Sequence, residues 1–196
     1  MAHEGLWQQL AELDPELTVK RAKCRYTADA GQYVLGFLNK EYVIDVGRRR
    51  IFPDDHQQQE VGFLQQLCLL AYLVGAKDVP LSDKLVQPES LPGGQFFFRG
   101  FHSLPTKKLE TAFGRCPERL YEIAERFGAE RCEFGDASIK LYLLPRIPVT
   151  IVIWAADDQF SARASILFDS TAADHLLLDA LLTAANLAVD ALTEAC

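Results

Sequence analysis

The feature that most constrains this chain is the grouping of its strands. Residues 24–52 carry four short strand-like runs, Cys24–Thr27, Gln32–Leu38, Glu41–Val46 and Arg50–Phe52, with no helical pattern between them. A second group follows later: Arg131–Phe134, Ser138–Leu144, Val149–Trp154 and Arg163–Phe168. Consecutive strands without intervening helices pair as hairpins and not as parallel βαβ units. The expected fold class is therefore α+β, a mainly antiparallel sheet with helices packed on it. Ala28-Asp29-Ala30-Gly31 and Gly135-Asp136 have the composition of hairpin turns. Val149–Trp154 is apolar and β-branched almost throughout, which reads as a strand buried on both faces.

Helical periodicity accounts for the rest. Residues 4–13 place Leu6, Trp7, Leu10 and Leu13 on one side, and Asp14-Pro15-Glu16 supplies an N-cap, a first-turn proline and an acid for a second helix ending near Lys23. Gln57 to about Gly75 is apolar nearly all round and is expected to be the central buried helix, with Gly75 as its stop. Further helices are expected over Lys107–Phe113, Pro117–Phe127 and Ala172–Thr193, the last carrying Leu176, Leu177, Leu181, Leu187 and Leu192. Residues 76–105 hold four prolines and three glycines outside Gly75 and read as loop. A chain of 196 residues fits one domain, 1–196, long enough to form its own core without metal or disulfide staples.

Charge and motif content exclude several functions. A net charge of −7 repels phosphate backbones, so no nucleic-acid partner is expected, and the Arg48-Arg49-Arg50 run reads as a solvated strand end. The longest apolar stretch, Leu67–Ala76, is too short to span a bilayer, and Met1–Gly5 lacks the start of a secretory signal, so a cytoplasmic location is expected. Cys24, Cys68, Cys116, Cys132 and Cys196 show no CxxC or Cys–His spacing, so no metal site is expected, and nothing in the spacing supports a Cys116–Cys132 contact. Nucleotide loops, HExxH and GxSxG are absent.

The best candidate site element is Leu91-Pro92-Gly93-Gly94 followed by Gln95-Phe96-Phe97-Phe98-Arg99-Gly100-Phe101-His102. Gly93 and Gly94 permit close backbone approach to a ligand, Phe98 and its neighbours are suited to an apolar pocket, and Arg99 and His102 offer polar handles. The competing reading is a long loop pinned to the core by its phenylalanines. Asp136, Arg146, Asp157, Asp158 and Asp169 lie at or beside expected strand ends, where a sheet positions side chains rigidly. Each aspartate is equally suited to a turn or cap. An ion pair between Arg146 and an aspartate, tying two loops together, is the preferred structural role for that arginine. His56 beside Asp54 and Asp55 is a weak metal candidate, and His175 beside Asp174 reads as a solvated helix face.

Several segments together resemble domain-of-unknown-function family 3786. They are the Asp14-Pro15-Glu16 helix start, LPGGQFFFRGFHSLP at 91–105, GDAS at 135–138, LPRIPVTIVIWAADDQF at 144–160 and ILFDST at 166–171. The resemblance spans most of the chain. It implies a prokaryotic intracellular protein, with some members similar to fusions with an iron–sulfur cluster segment. That implies a low-potential redox or corrinoid setting and an iron–sulfur or corrinoid protein as a partner. The cysteines here lack cluster spacing, so this chain would be the partner domain alone. The family implies no activity.

Three functions are compatible with these residues. The first is a binding module for a small, partly apolar, anionic molecule, in its most specific form a tetrapyrrole or corrinoid, held by Gly93, Gly94, Phe98, Arg99, His102, Asp136, Arg146 and Asp157. The second is an enzyme in which His102 and Asp136 or Asp157 transfer protons on a small anionic substrate. The third is a homodimer assembled through the leucine-rich last helix. Cofactor and ligand identity are not written in the sequence.

Overall fold

The computed structural model describes residues 3–56, 59 and 61–196. Two antiparallel sheets carry the two strand groups. The first is a meander of β1 (Arg25–Thr27), β2 (Gln32–Phe37), β3 (Lys40–Asp45) and β4 (Arg50–Pro53), paired in chain order. Tyr33 faces Ile44, which in turn faces Ile51, and all three are buried. The β2–β3 connection is the two-residue turn Leu38-Asn39, both at positive φ (48° and 61°), a conformation that matches strand twist and suits Asn far better than Leu.

The second sheet has the order β5-β9-β8-β7-β6, built from β5 (Leu85–Val86), β6 (Glu130–Cys132), β7 (Ala137–Leu144), β8 (Ile147–Trp154) and β9 (Arg163–Asp169). β8 is central, and every residue from Ile147 to Ile153 is buried, which is why that segment needs no polar face. On β7, Ile139, Leu141 and Leu143 share the buried face, whereas Tyr142 on the other face is exposed. The Leu38 N–H donates to the Leu143 carbonyl at 3.2 Å and links the two sheets.

Eight α-helices complete the α+β fold among the described residues: α1 (Glu4–Glu12), α2 (Pro15–Ala22), α3 (Phe63–Gly75), α4 (Gly94–Phe97), α5 (Thr106–Phe113), α6 (Arg119–Ala124), α7 (Ala172–His175) and α8 (Leu178–Glu194). α3 is the central helix, with Cys68, Leu69, Leu70, Tyr72 and Leu73 buried, and it packs against α8, α1 and α2. Asp14 caps α2 by accepting the Leu17 N–H at 2.9 Å. One continuous core runs from Trp7 to Leu192 and joins both sheets.

The differences from the sequence expectation lie at helix ends and in the long loop. The central helix begins at Phe63 after Gly62, not at Gln57; residues 57, 58 and 60 lie outside the described residues. The expected helix over Pro117–Phe127 is α6 plus a 3-10 turn ending at Gly128, whose φ is +64°. The last helix is broken: Leu176 and Leu177 are extended, so that His175 and Leu176 both turn inward, and α8 starts afresh at Leu178. Residues 76–105 are not simply loop. They hold β5, α4 and 3-10 turns at Pro88–Ser90 and Gly100–His102.

Candidate functional site

The Pro-Gly-Gly segment uses its glycines against its own chain. Gly93 sits at φ +78°, and a Cβ on buried Gly94 would lie 2.1 Å from the Pro88 carbonyl oxygen. Phe98 is buried and stacks on Phe168 of β9 with ring centroids 6.5 Å apart. Phe97 meets Phe98 edge-on at 5.1 Å and is stacked by His102 at 4.6 Å with the rings 5° from parallel. Phe96 and Phe101 point outward and are 75% and 106% exposed. Arg99 and His102 are exposed beside them. The loop is thus pinned by Phe97 and Phe98 and still presents two aromatic rings to solvent.

Between this loop and β9 lies a groove of about 200 Å³. Gln87, Pro88 and Glu89 form one wall, Ser103, Leu104 and Thr106 another, and Phe98 with Ala164, Ser165 and Ile166 of β9 the floor. β5 covers only the far end of β9, pairing Val86 with Phe168 and Leu85 with Asp169, so the edge of β9 along the groove has no strand beside it.

The other expected site residues do not converge on this groove. Arg146 is buried in the β7–β8 turn, and all three nitrogens of its guanidinium are hydrogen-bonded. Nε donates to the Arg21 carbonyl at 2.6 Å, Nη1 to Val79 at 2.7 Å, and Nη2 to Asp78 Oδ1 at 2.8 Å and the Lys20 carbonyl at 3.3 Å. The Tyr72 hydroxyl accepts the Arg146 N–H at 3.1 Å and donates to the Ala22 carbonyl at 3.0 Å. A hydrogen bond from Lys20, helped by the charges of Lys20 and Arg146, holds the Asp78 carboxyl below its ordinary range.

Asp136 and Asp157 sit at the opposite end of the sheet from Arg146, eight strand residues or roughly 25 Å away. Asp136 accepts the Ala155 N–H at 2.7 Å and so ties the start of β7 to the segment after β8. Asp157 accepts those of Gln159 and Phe160 at 2.8 and 2.7 Å and so stabilises a local turn. His102 precedes α5, whereas the Asp157 loop is tied beyond the end of α5 by the Ala156 N–H donating to Gly114. The length of α5, about 12 Å, separates them, and no proton-transfer pair forms. Of the expected binding residues, Phe98 alone lines the groove, with Gly93, Gly94, Arg99 and His102 in the loop that carries it.

Asp169 is buried, and its Oδ1 accepts four hydrogen bonds, from the backbone and hydroxyl of both Ser82 and Thr171. Burial alone would raise its pKa, but these bonds outweigh it and the net shift is downward. The residue that sequence reasoning missed is His175. It is 0% exposed, with neither ring nitrogen hydrogen-bonded, in place of the solvated face expected for it. Burial, then the Arg146 charge, lowers its pKa against the smaller opposing effects of Asp174, Asp169 and the Lys77 backbone. The apolar neighbours Ala172 and Leu176 were the signal for its burial.

The thiols do not suit an iron–sulfur cluster. Cys24 and Cys68 are buried, with burial pushing their pKa values up to about 11 and about 12, and Cys116, Cys132 and Cys196 are also free. Among the described residues no group of three or more His, Cys, Asp or Glu is placed to hold a metal ion, and no helix is long and apolar enough to cross a membrane.

No curated protein and no solved structure matches this chain. A family model, described as Domain of unknown function (DUF3786), matches residues 14–191. The match takes in α2, both sheets, the aromatic loop and most of α8, and the chain belongs to the DUF3786 family.

Proposed function

We propose that this chain is a small-ligand-binding module whose site is the groove between the aromatic loop and β9. The observation that carries the reading is the groove itself: a concave space where Phe98, Leu104 and Ile166 meet polar groups of Gln87, Glu89, Ser103, Thr106 and Ser165, beside a loop fixed by the Phe97–Phe98–Phe168 contacts. At about 200 Å³ it is smaller than the roughly 300–1,000 Å³ of drug-sized ligand sites, so it suits a compact molecule. Glu89 on the wall favours a neutral or cationic ligand over an anionic one. A tetrapyrrole or corrinoid ring exceeds the groove and would have to lie outside it, against Phe96 and Phe101. Acid–base catalysis draws less support, because His102 and the strand-end aspartates are held apart. A dimer through the last helix draws less support too, because Leu181, Ala184, Ala188 and Leu192 are buried within the protomer.

The test is a fragment titration of isotopically labelled protein read by NMR. Saturable shifts confined to Ser103, Thr106, Ser165 and Ile166 are expected, and Ser103→Phe, which puts a ring at the groove wall, should abolish them without lowering the melting temperature. Cobalamin and haem belong in the same titration. Shifts that map elsewhere, or none at all, overturn the reading.

A further inference from the structure

In an antiparallel ladder successive residues turn their N–H and C=O groups alternately to the two neighbouring strands. The Asp136 N–H donates to the Ile153 carbonyl, so Ile153, and with it Ile151, addresses the β7 side. Thr150, Val152 and Trp154 therefore address β9, where their partners are Leu167, Ser165 and Arg163. Ala164, Ile166 and Phe168 must then turn their backbone groups outward, to the free edge. Three hydrogen-bonding relationships agree with this parity. The Ala164 N–H donates to Glu110 Oε1 at 3.4 Å, Phe168 pairs with Val86, and the Ser170 N–H donates to the Lys84 carbonyl at 2.9 Å.

Ile166 is the exception in that row. It lies between Ala164, whose N–H is taken by Glu110, and Phe168, which β5 pairs; it is 2% exposed, and neither of its outward backbone groups has a partner among the described residues. The residue that would continue the β5 ladder opposite Ile166 is Pro88, which has no N–H to give. The Pro88 carbonyl is turned to its own chain, accepting the Leu91 N–H at 3.2 Å and abutting Gly94, and takes no bond from the Ile166 N–H. Pro88 and Ile166 both line the groove. A donor and an acceptor from one residue thus face the cavity that the loop encloses.

From this we infer that the groove recognises a peptide-like backbone: a single amino-acid unit flanked by amides, which supplies one N–H to the Ile166 carbonyl and one C=O to the Ile166 N–H. This rests on the binding-module reading and names its ligand class. Ile166 is the one position of this edge with both groups open among the described residues, because Glu110 occupies the Ala164 N–H and β5 occupies Phe168, so the occupant is a short amide and not a full added strand. Directly paired residues in a sheet share a face. The side chain of the ligand would therefore project on the face of Ile166 and Phe168, against Phe98 and Leu104, which selects an aliphatic group.

The experiment titrates the labelled chain with N-acetyl-L-valine methylamide at up to millimolar concentration, beside the isosteric hydroxy-acid analogue in which an ester oxygen replaces the valine N–H. Expected are a saturable shift of the Ile166 amide signal with the amide and about tenfold weaker binding of the analogue, whose oxygen cannot satisfy the Ile166 carbonyl. Equal binding of the two compounds overturns the backbone recognition and leaves the binding module standing. So does a groove that responds to unrelated fragments and to neither of these. A groove whose signals respond to nothing overturns both.

Discussion

The Arg146 guanidinium meets Asp78 Oδ1 at 2.8 Å across 68 residues of sequence, and the same side chain gathers the carbonyls of Lys20, Arg21 and Val79. A strand turn, the end of α2 and the segment after α3 are thereby held by one cation. Removing it leaves three carbonyls without their donor, so Arg146→Ala is expected to destabilise the fold by roughly 3 kcal/mol or more. Urea denaturation with an unchanged slope checks this. Asp78→Asn should cost far less, since Asp78 is half exposed and the three carbonyls keep their partner.

His175 sets a pH dependence of its own. Its folded pKa lies below the ordinary 6.5, so below that pH the unfolded chain binds a proton that the folded chain refuses. Stability from this group is complete above pH 6.5 and falls as the pH drops through 6.5 toward the lower folded value. The depressed carboxyls of Asp45, Asp78 and Asp169 start from 3.8 and titrate in a separate, more acidic window. His175→Phe should flatten the profile between pH 7 and 5. At pH 7 it should be neutral or mildly stabilising, because two orphaned polar atoms are removed. Chemical denaturation across that range, wild type against variant, is the measurement.

The two loop glycines should separate in a melting experiment. Gly93→Ala makes an ordinary contact with Leu178 at 3.6 Å and is penalised mainly by its positive φ, about 1–2 kcal/mol. Gly94→Ala drives a methyl group into the Pro88 carbonyl and should lower the melting temperature considerably more. Equal effects would mean that the loop yields.

The phenylalanines divide in the same way. Phe98→Ala removes a buried ring from Phe168 and is expected to cost about 3–5 kcal/mol. Phe96→Ala and Phe101→Ala should each stay within about 0.5 kcal/mol, because both rings are exposed. Calorimetry on the three variants distinguishes anchors from displayed groups.

Strand content was legible because burial is one-sided or two-sided in a regular way: alternation marks β2 and β7, and uninterrupted apolar residues mark β8. The Asp14-Pro15 helix start was equally readable, since it follows from local chemistry; an aspartate partner for Arg146 was expected, but not that it would be Asp78, 68 residues away and outside the strand-end set. His175 was not, because only tertiary packing breaks the helix at Leu176 and turns the ring inward. The groove was not legible either. Its walls come from residues 87–89, 103–106 and 164–166, and the feature that opens it is a proline whose absent donor matters only once β5 and β9 are side by side. Phe98 was found because an aromatic run in a Pro/Gly-rich segment stands out even without that context.

The shortness of β5 also has a bearing on the order in which the chain folds. β7 and β8 meet through a two-residue turn, whereas Leu85 must find Asp169 across nearly half the chain, with a far larger closure entropy and only two residues of ladder to offset it. Contacts of that kind form late and open first, as a cooperative local unit. The wall of the groove is therefore assembled after the sheet it leans on. Brief excursions that detach β5 and the aromatic loop, with the hairpins of the sheet still intact, would give a ligand its way in and out.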